Sequence, residues 1–167
     1  MGRLQAIYNG EHTPVGNWDD PLDHVLAFFL NCYHIKDWLK AGPDWHKDVP
    51  LEVREKAVEQ FVEETEVLRI CADLCNGNKH YRLRRGPRSG TAPELMAVHH
   101  KVDTSTNPPT KTTRYTLCTA RGNDDALQLA TECFECWRKF IRYSTAKSLQ
   151  ELAARNSKCK PTCPKAS

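Results

Sequence analysis

The chain has 167 residues, 40% of them hydrophobic and 27% charged, with a formal net charge of +3. That is the size of a single domain with a core of its own, and the composition is that of an ordinary soluble protein. No apolar run approaches the roughly 20 residues a membrane helix needs, and residues 1–16 lack the apolar segment of a signal peptide. Ala6 breaks the myristoylation pattern, so a cytoplasmic location is expected.

Residues 1–18 read as an irregular lead-in to a single domain over 19–155. Asp19 and Asp20 can cap a helix that has Pro21 at its first position, where the missing N–H does no harm. That helix should run to about Lys40 and stop at Gly42-Pro43. Leu22, Val25, Leu26, Phe29, Cys32 and Tyr33 line one face, and Ala27, Leu30, Ile35, Trp38 and Leu39 extend it, as in a helix buried among others. Against that background Asn31, His34 and Asp37 stand out. His34 and Asp37 are three residues apart and can meet on adjacent turns.

Gly42 to Pro50 reads as a loop carrying Asp44, Trp45 and His46. A second helix starts at Leu51, with Val53, Ala57, Val58, Phe61 and Val62 as its apolar positions. It is acidic, with six glutamates between Glu52 and Glu66. The pattern leaves open whether it breaks near Glu64, with Thr65 capping a new helix, or continues to Asn76.

The densest polar chemistry follows. Ile70, Cys71, Leu74 and Cys75 form an apolar side, while Asp73, Asn76 and His80 fall on one face if the helix continues. Gly77 inside that run suggests a helix end or a close backbone approach. Lys79, Arg82, Arg84, Arg85 and Arg88 then form a basic run with no acid before Glu94. Gly86-Pro87-Arg88-Ser89-Gly90 reads as a flexible turn, since no strand precedes it.

Beyond this turn the period changes to that of strands, with Leu95–Val98 and Thr113–Thr119 joined around Asn107-Pro108-Pro109. A β-hairpin at about 94–119 is expected. Gly122-Asn123-Asp124 should end it and cap the last long helix, whose stripe is Leu127, Ala130, Cys133, Phe134, Trp137, Phe140 and Ile141. That helix should fade past Tyr143 or reach Ala154, and residues 156–167 read as a basic, disordered tail. The expected fold is mainly α: an antiparallel helical bundle with a β-hairpin inserted before the last long helix.

Eight cysteines are many for this length. Cys32, Cys71, Cys75, Cys133 and Cys136 lie in helical patterns, where a free thiol acts as a small hydrophobe. Cys133-Phe-Glu-Cys136 has zinc-ligand spacing but lacks the knuckle turn such pairs occupy. Cys159 and Cys163 could ligate a metal or form a labile disulfide. No cofactor is expected.

Two basic segments on a balanced chain permit an anionic partner such as RNA; a solvated surface with a basic tail is the plain alternative. Three functional readings fit. In one, His80, His34, Asp37 and Asp73 converge as a proton-transfer site, while Asn76, Lys79, Arg82, Arg84 and Arg85 bind a phosphate-bearing substrate. RNA cleavage through its own 2′-hydroxyl would need such groups and no metal. In the second, the polar cluster supports a non-catalytic interaction or small-ligand-binding protein. In the third, His34, Asp37, Asp73 and His80 bind a metal ion, although the Glu-x-x-His pairs of carboxylate bundles are absent.

At His34-Ile35-Lys36-Asp37-Trp38 and Asp73-Leu74-Cys75-Asn76-Gly77-Asn78-Lys79-His80 the chain resembles a group of small uncharacterised bacterial proteins with His-x-x-Asp-Trp and Asp-x-x-Asn-x-x-Lys-His motifs. Asp125-Ala126-Leu127 and Trp137 fit the same pattern, so the resemblance covers most of residues 20–143. More distantly it is similar to the HEPN superfamily, helical bundles that include metal-independent endoribonucleases. HEPN nucleases carry Arg-x4–6-His; His80 and the polar Asn76 match in part, but Asp73, Leu74 and Cys75 stand where the arginine would fall. The resemblance therefore implies RNA binding, with cleavage or an inactive relative both open, and a homodimer.

Overall fold

The computed structural model describes residues 2–11, 21–42, 44–79, 86–107 and 109–158. Among these the chain is mainly helical, with one small antiparallel sheet. Helix α1 spans Gly2–Asn9, α2 Pro21–Ala41, α3 Leu51–Glu64 and α4 Glu66–Lys79; strands β1 (Glu94–Asp103), β2 (Thr110–Thr119) and β3 (Gly122–Asp125) follow, then α5 (Ala126–Tyr143) and α6 (Ala146–Lys158). No helix among the described residues is long and apolar enough to cross a membrane.

Helix α2 begins at Pro21 and ends where expected, and Gly42 explains the stop. Its N–H bonds the Trp38 carbonyl at 2.7 Å, and a Cβ on Gly42 would lie 2.8 Å from that same oxygen. No other residue fits there without movement. Arg54 of α3 then donates from one guanidinium nitrogen to the carbonyls of Gly42 and Trp45, fixing the loop between α2 and α3. The second helical stretch breaks at Thr65, whose backbone carbonyl accepts from Leu68 and Arg69 as α4 starts.

Helix α2 packs against α4 and, less extensively, α3 and α5, while α3 lies mainly on α6. The core stripe of α5 is Ala126, Leu129, Ala130, Cys133, Trp137 and Phe140, all buried. This differs from the expected stripe: Leu129 is inside, and Phe134 and Ile141 are each 42% exposed. Phe140 stacks on Phe61 with centroids 4.1 Å apart, and Trp45 and Trp137 meet the same pair edge-on or tilted. A break at Ser144 separates α5 from α6. There Thr145 and Ser148 cap each other, Oγ1 of Thr145 accepting from the Ser148 N–H and Oγ of Ser148 from the Thr145 N–H. Leu149 and Ala153 carry α6 into the core, and the helix runs on to Lys158, past the expected start of the tail.

The sheet has three strands in the order β1-β2-β3, one more than a simple hairpin. Gly122, at φ +107°, turns the chain back from β2, and residues 122–125 pair with Thr116–Thr119 before Asp125 caps α5 by accepting from the N–H groups of Leu127 and Gln128. The cap is thus Asp125, one residue later than expected. β2 is buried on one face by Thr113, Tyr115 and Leu117, whereas β1 is an almost wholly exposed edge with Met96 and Val102 outward.

The lead-in is not irregular over its first residues. Leu4, Ile7 and Tyr8 fall at i, i+3 and i+4, and all three are buried. Eight residues are too few to hold a helix in isolation, so α1 exists by docking. The Tyr8 hydroxyl makes the joint: it donates to the Tyr115 carbonyl (3.5 Å) and accepts from the N–H groups of Tyr115 and Leu127 (3.2 Å each). Asp19 and Asp20, and the tail beyond Lys158, lie outside the described residues.

Tyr8→Phe keeps the ring and removes those three bonds. A loss of about 1–3 kcal/mol is expected, read as a lower urea midpoint with unchanged slope. An unchanged midpoint would mean that the hydroxyl does not hold α1 in place.

Candidate functional site

Asp73 is the most deeply buried acid of the expected cluster, at 2% exposure. Its position on α4 puts the carboxylate under the chain that returns after Gly86. Oδ1 accepts from the Arg88 N–H at 2.8 Å; Oδ2 accepts from the Ser89 N–H and the Ser89 hydroxyl, each at 2.7 Å. The Gly90 N–H closes the turn on the Pro87 carbonyl, with Gly90 at φ +95°. Successive N–H groups in such a turn form an anion-binding concavity. Here the anion is the protein's own carboxylate. Both oxygens are engaged and the residue is 2% exposed, so Asp73 positions the turn and is shielded from solvent.

The anchored turn projects Arg88 onto α3. Its guanidinium bonds Glu63 at 2.6 Å, lies 3.8 Å from Glu59, and sits 5.9 Å from the ring centroid of Tyr33 on α2. Glu59 also accepts from Lys36 (3.3 Å) and Lys40, both on α2. Lys36 lies 4.6 Å over Tyr33 and 3.5 Å from Asp37, and Asp37 bonds Nδ1 of His34 at 3.0 Å. An unbroken series of polar contacts thus runs from His34 through Asp37, Lys36, Glu59 and Arg88 to Asp73. Its cations Lys36, Lys40 and Arg88 meet the anions Asp37, Glu59 and Glu63.

Within this network His34 and Asp37 are the accessible end, their side chains 36% and 48% exposed. Burial raises the Asp37 carboxyl, but the His34 hydrogen bond and the charges of Lys36 and Lys40 outweigh it and hold the group below its ordinary value. A carboxylate ionised in this way orients an imidazole. The structure therefore joins His34, Asp37 and Asp73 in one network but at different depths. Asn76, partly buried, is the next turn of α4 after Asp73, and α4 continues through Gly77 to Lys79. The side chain of Lys79, and His80, Arg82, Arg84 and Arg85 entirely, lie outside the described residues.

Sequence reasoning passes over Lys36, Lys40, Glu59 and Glu63. The usable signal is a matched spacing: two cations at i, i+4 on α2 and two acids at i, i+4 on α3.

The cysteines form a second arrangement. Cys32 of α2, Cys71 of α4 and Cys133 of α5 are all buried, and their sulfurs lie within 4.8 Å of one another. Cys71 donates to the Phe29 carbonyl and Cys133 to the Val67 carbonyl, each at 3.4 Å. Contact with Cys133 and Cys71 lowers the Cys32 thiol to about 5; contact with Cys133 and Cys32, together with burial, pushes Cys71 up, and contact with Cys32, together with burial, pushes Cys133 up against an opposing effect of Cys71. Cys136, expected as the zinc-spaced partner of Cys133, is only partly buried and is not among the three.

Comparison with known proteins gives no significant match to any family model, curated protein or solved structure. The site is therefore read from its own geometry.

Glu59 offers a test of the network. Burial raises its carboxyl, but the Lys40 hydrogen bond and the charges of Lys36 and Lys40 lower it further, to below its ordinary 4.5. The folded protein thus takes up this proton less readily than the unfolded chain. The stabilisation is complete above pH 4.5 and is lost as pH falls through the lower folded value. Stability curves of wild type and Glu59→Gln should be separated at neutral pH and converge in that acid window. A separation independent of pH would show that Glu59 contributes through packing and not through its charge.

Proposed function

We infer that the protein binds RNA, or another phosphate-bearing ligand, through the basic segment after α4, and that His34 is the proton-transfer group of a metal-independent cleavage. The observation that carries this reading is the His34–Asp37 pair: a half-exposed imidazole, oriented by an ionised carboxylate 3.0 Å away. Such a pair can accept a proton from a ribose 2′-hydroxyl and hold it, as general base catalysis requires. Helix α4 ends at Lys79, and the Arg88 N–H bonds Asp73 on the same helix. In this proposal Arg82, Arg84 and Arg85, with Lys79 and Asn76, engage phosphate, and His80 is the second imidazole. The HEPN-like resemblance and its homodimer belong to the same proposal.

One observation favours a second reading, a non-catalytic interaction protein. Lys36, Lys40 and Arg88 are each matched to a carboxylate, so the described network is complete without a ligand. A metal-dependent enzyme is favoured least, because both Asp73 oxygens are occupied by the 88–89 turn.

Incubating the full chain with RNA in excess chelator separates these readings. Wild type should shorten the RNA, and His34→Ala should slow this by roughly 100-fold or more while binding and thermal midpoint hold. Binding should fall steeply with salt and weaken in Arg84→Glu. Intact RNA with salt-sensitive binding would leave the interaction protein; no binding would remove the nucleic-acid reading altogether.

A further inference from the structure

Three sulfurs within 4.8 Å of one another in a helical core are unusual company. Each comes from a different helix, so their approach is a product of the tertiary fold and not of a local motif. Thiols can pack as small hydrophobes, and Cys71 and Cys133 each find a helix carbonyl without help from the other sulfurs. What the arrangement does supply is a set of soft donors converging from three directions, with no histidine or carboxylate joining the group among the described residues.

We propose that Cys32, Cys71 and Cys133 bind one thiophilic d10 cation, Cu(I) or Zn(II), between α2, α4 and α5.

The geometry is close to what such an ion requires. Metal–sulfur bonds of about 2.3 Å place three ligand sulfurs about 4 Å apart, so sulfurs already within 4.8 Å need to move by less than about 1 Å. Soft thiolate ligands select these ions over magnesium, calcium or manganese. Binding would displace the thiol protons into solvent, and the Phe29 and Val67 carbonyls would lose only their sulfur donors.

Two further features point the same way. Trp137 lies one helical turn from Cys133, and its indole N–H is buried with no hydrogen-bond partner. That N–H lies near the Cys32 sulfur without reaching hydrogen-bond geometry to it. A negatively charged metal thiolate is the acceptor that would satisfy it. There is also a route in. Cys32 forms part of the floor of a groove of about 270 Å³ whose other walls are Phe28, Asn31, Ile35, Trp38 and Phe134. The groove brings solvent up to Cys32, itself 4% exposed. The two ions differ in one respect: three-coordinate Cu(I) needs nothing more, whereas Zn(II) needs a fourth donor, which water entering by the groove can provide.

The test uses the full chain carrying Cys159→Ser and Cys163→Ser, which removes the tail thiols as a competing site. The reduced, metal-free protein is titrated with Cu(I) under anaerobic conditions and, separately, with Zn(II), each against a chromophoric chelator. One equivalent of at least one ion should be held, with a raised thermal midpoint. X-ray absorption at the metal edge should report three sulfur neighbours, joined by one oxygen in the Zn(II) form. Cys71→Ala should abolish uptake and Cys75→Ala, a buried cysteine outside the trio, should leave it intact. Failure to retain either ion, two or fewer sulfur neighbours, or uptake that survives Cys71→Ala would overturn the proposal. The absorption measurement is made on the parent chain and decides the matter even if Cys71→Ala does not fold.

Discussion

The buried carboxylate of Asp73 is the constraint on which the polar half of this molecule depends. An ionised group at that depth is tolerated only if its lone pairs are met, and the protein meets them with two backbone N–H groups and a hydroxyl from the Arg88–Ser89 turn. The consequence propagates. A turn held at α4 delivers the Arg88 guanidinium to Glu63 and Glu59, Glu59 gathers Lys36 and Lys40, and Lys36 leads to Asp37 and His34. Side chains on three helices are thereby fixed relative to a loop that precedes the sheet. A residue that reads from the sequence as chemistry is, in the fold, the support on which neighbouring chemistry is arranged.

How much of this is legible in the chain varies with the range of the forces involved. The ends of α2 are local matters: proline at the first position, glycine where the backbone is too close to Trp38 for a side chain. The apolar side of α4 follows from spacing alone, and Ile70, Cys71, Leu74 and Cys75 are all inside. By contrast, α1 has almost no intrinsic reason to be helical, and only its neighbours make it so. The third strand is too short and polar to announce itself, since Gly122-Asn123-Asp124-Asp125 carries turn and cap residues that happen also to pair with β2.

The polar site divides along the same line. His34 and Asp37 are legible as a pair because three residues on a helix bring them together. The depth of Asp73 is not, because it depends on a turn fifteen residues later. The cysteines make the point most sharply: the spacing that attracts attention, Cys133 to Cys136, is not the one the fold uses. Residues 32, 71 and 133 meet through the packing of three helices, which no window along the chain contains.

The hydroxyl of Tyr8 has a bearing on how the molecule is made. Its partners lie 107 and 119 positions further on, in β2 and at the start of α5. During synthesis α1 therefore has no finished surface to fold against until β2 and the start of α5 have followed it out of the ribosome. Its docking ties a strand to the first turn of a helix across more than a hundred residues of intervening chain.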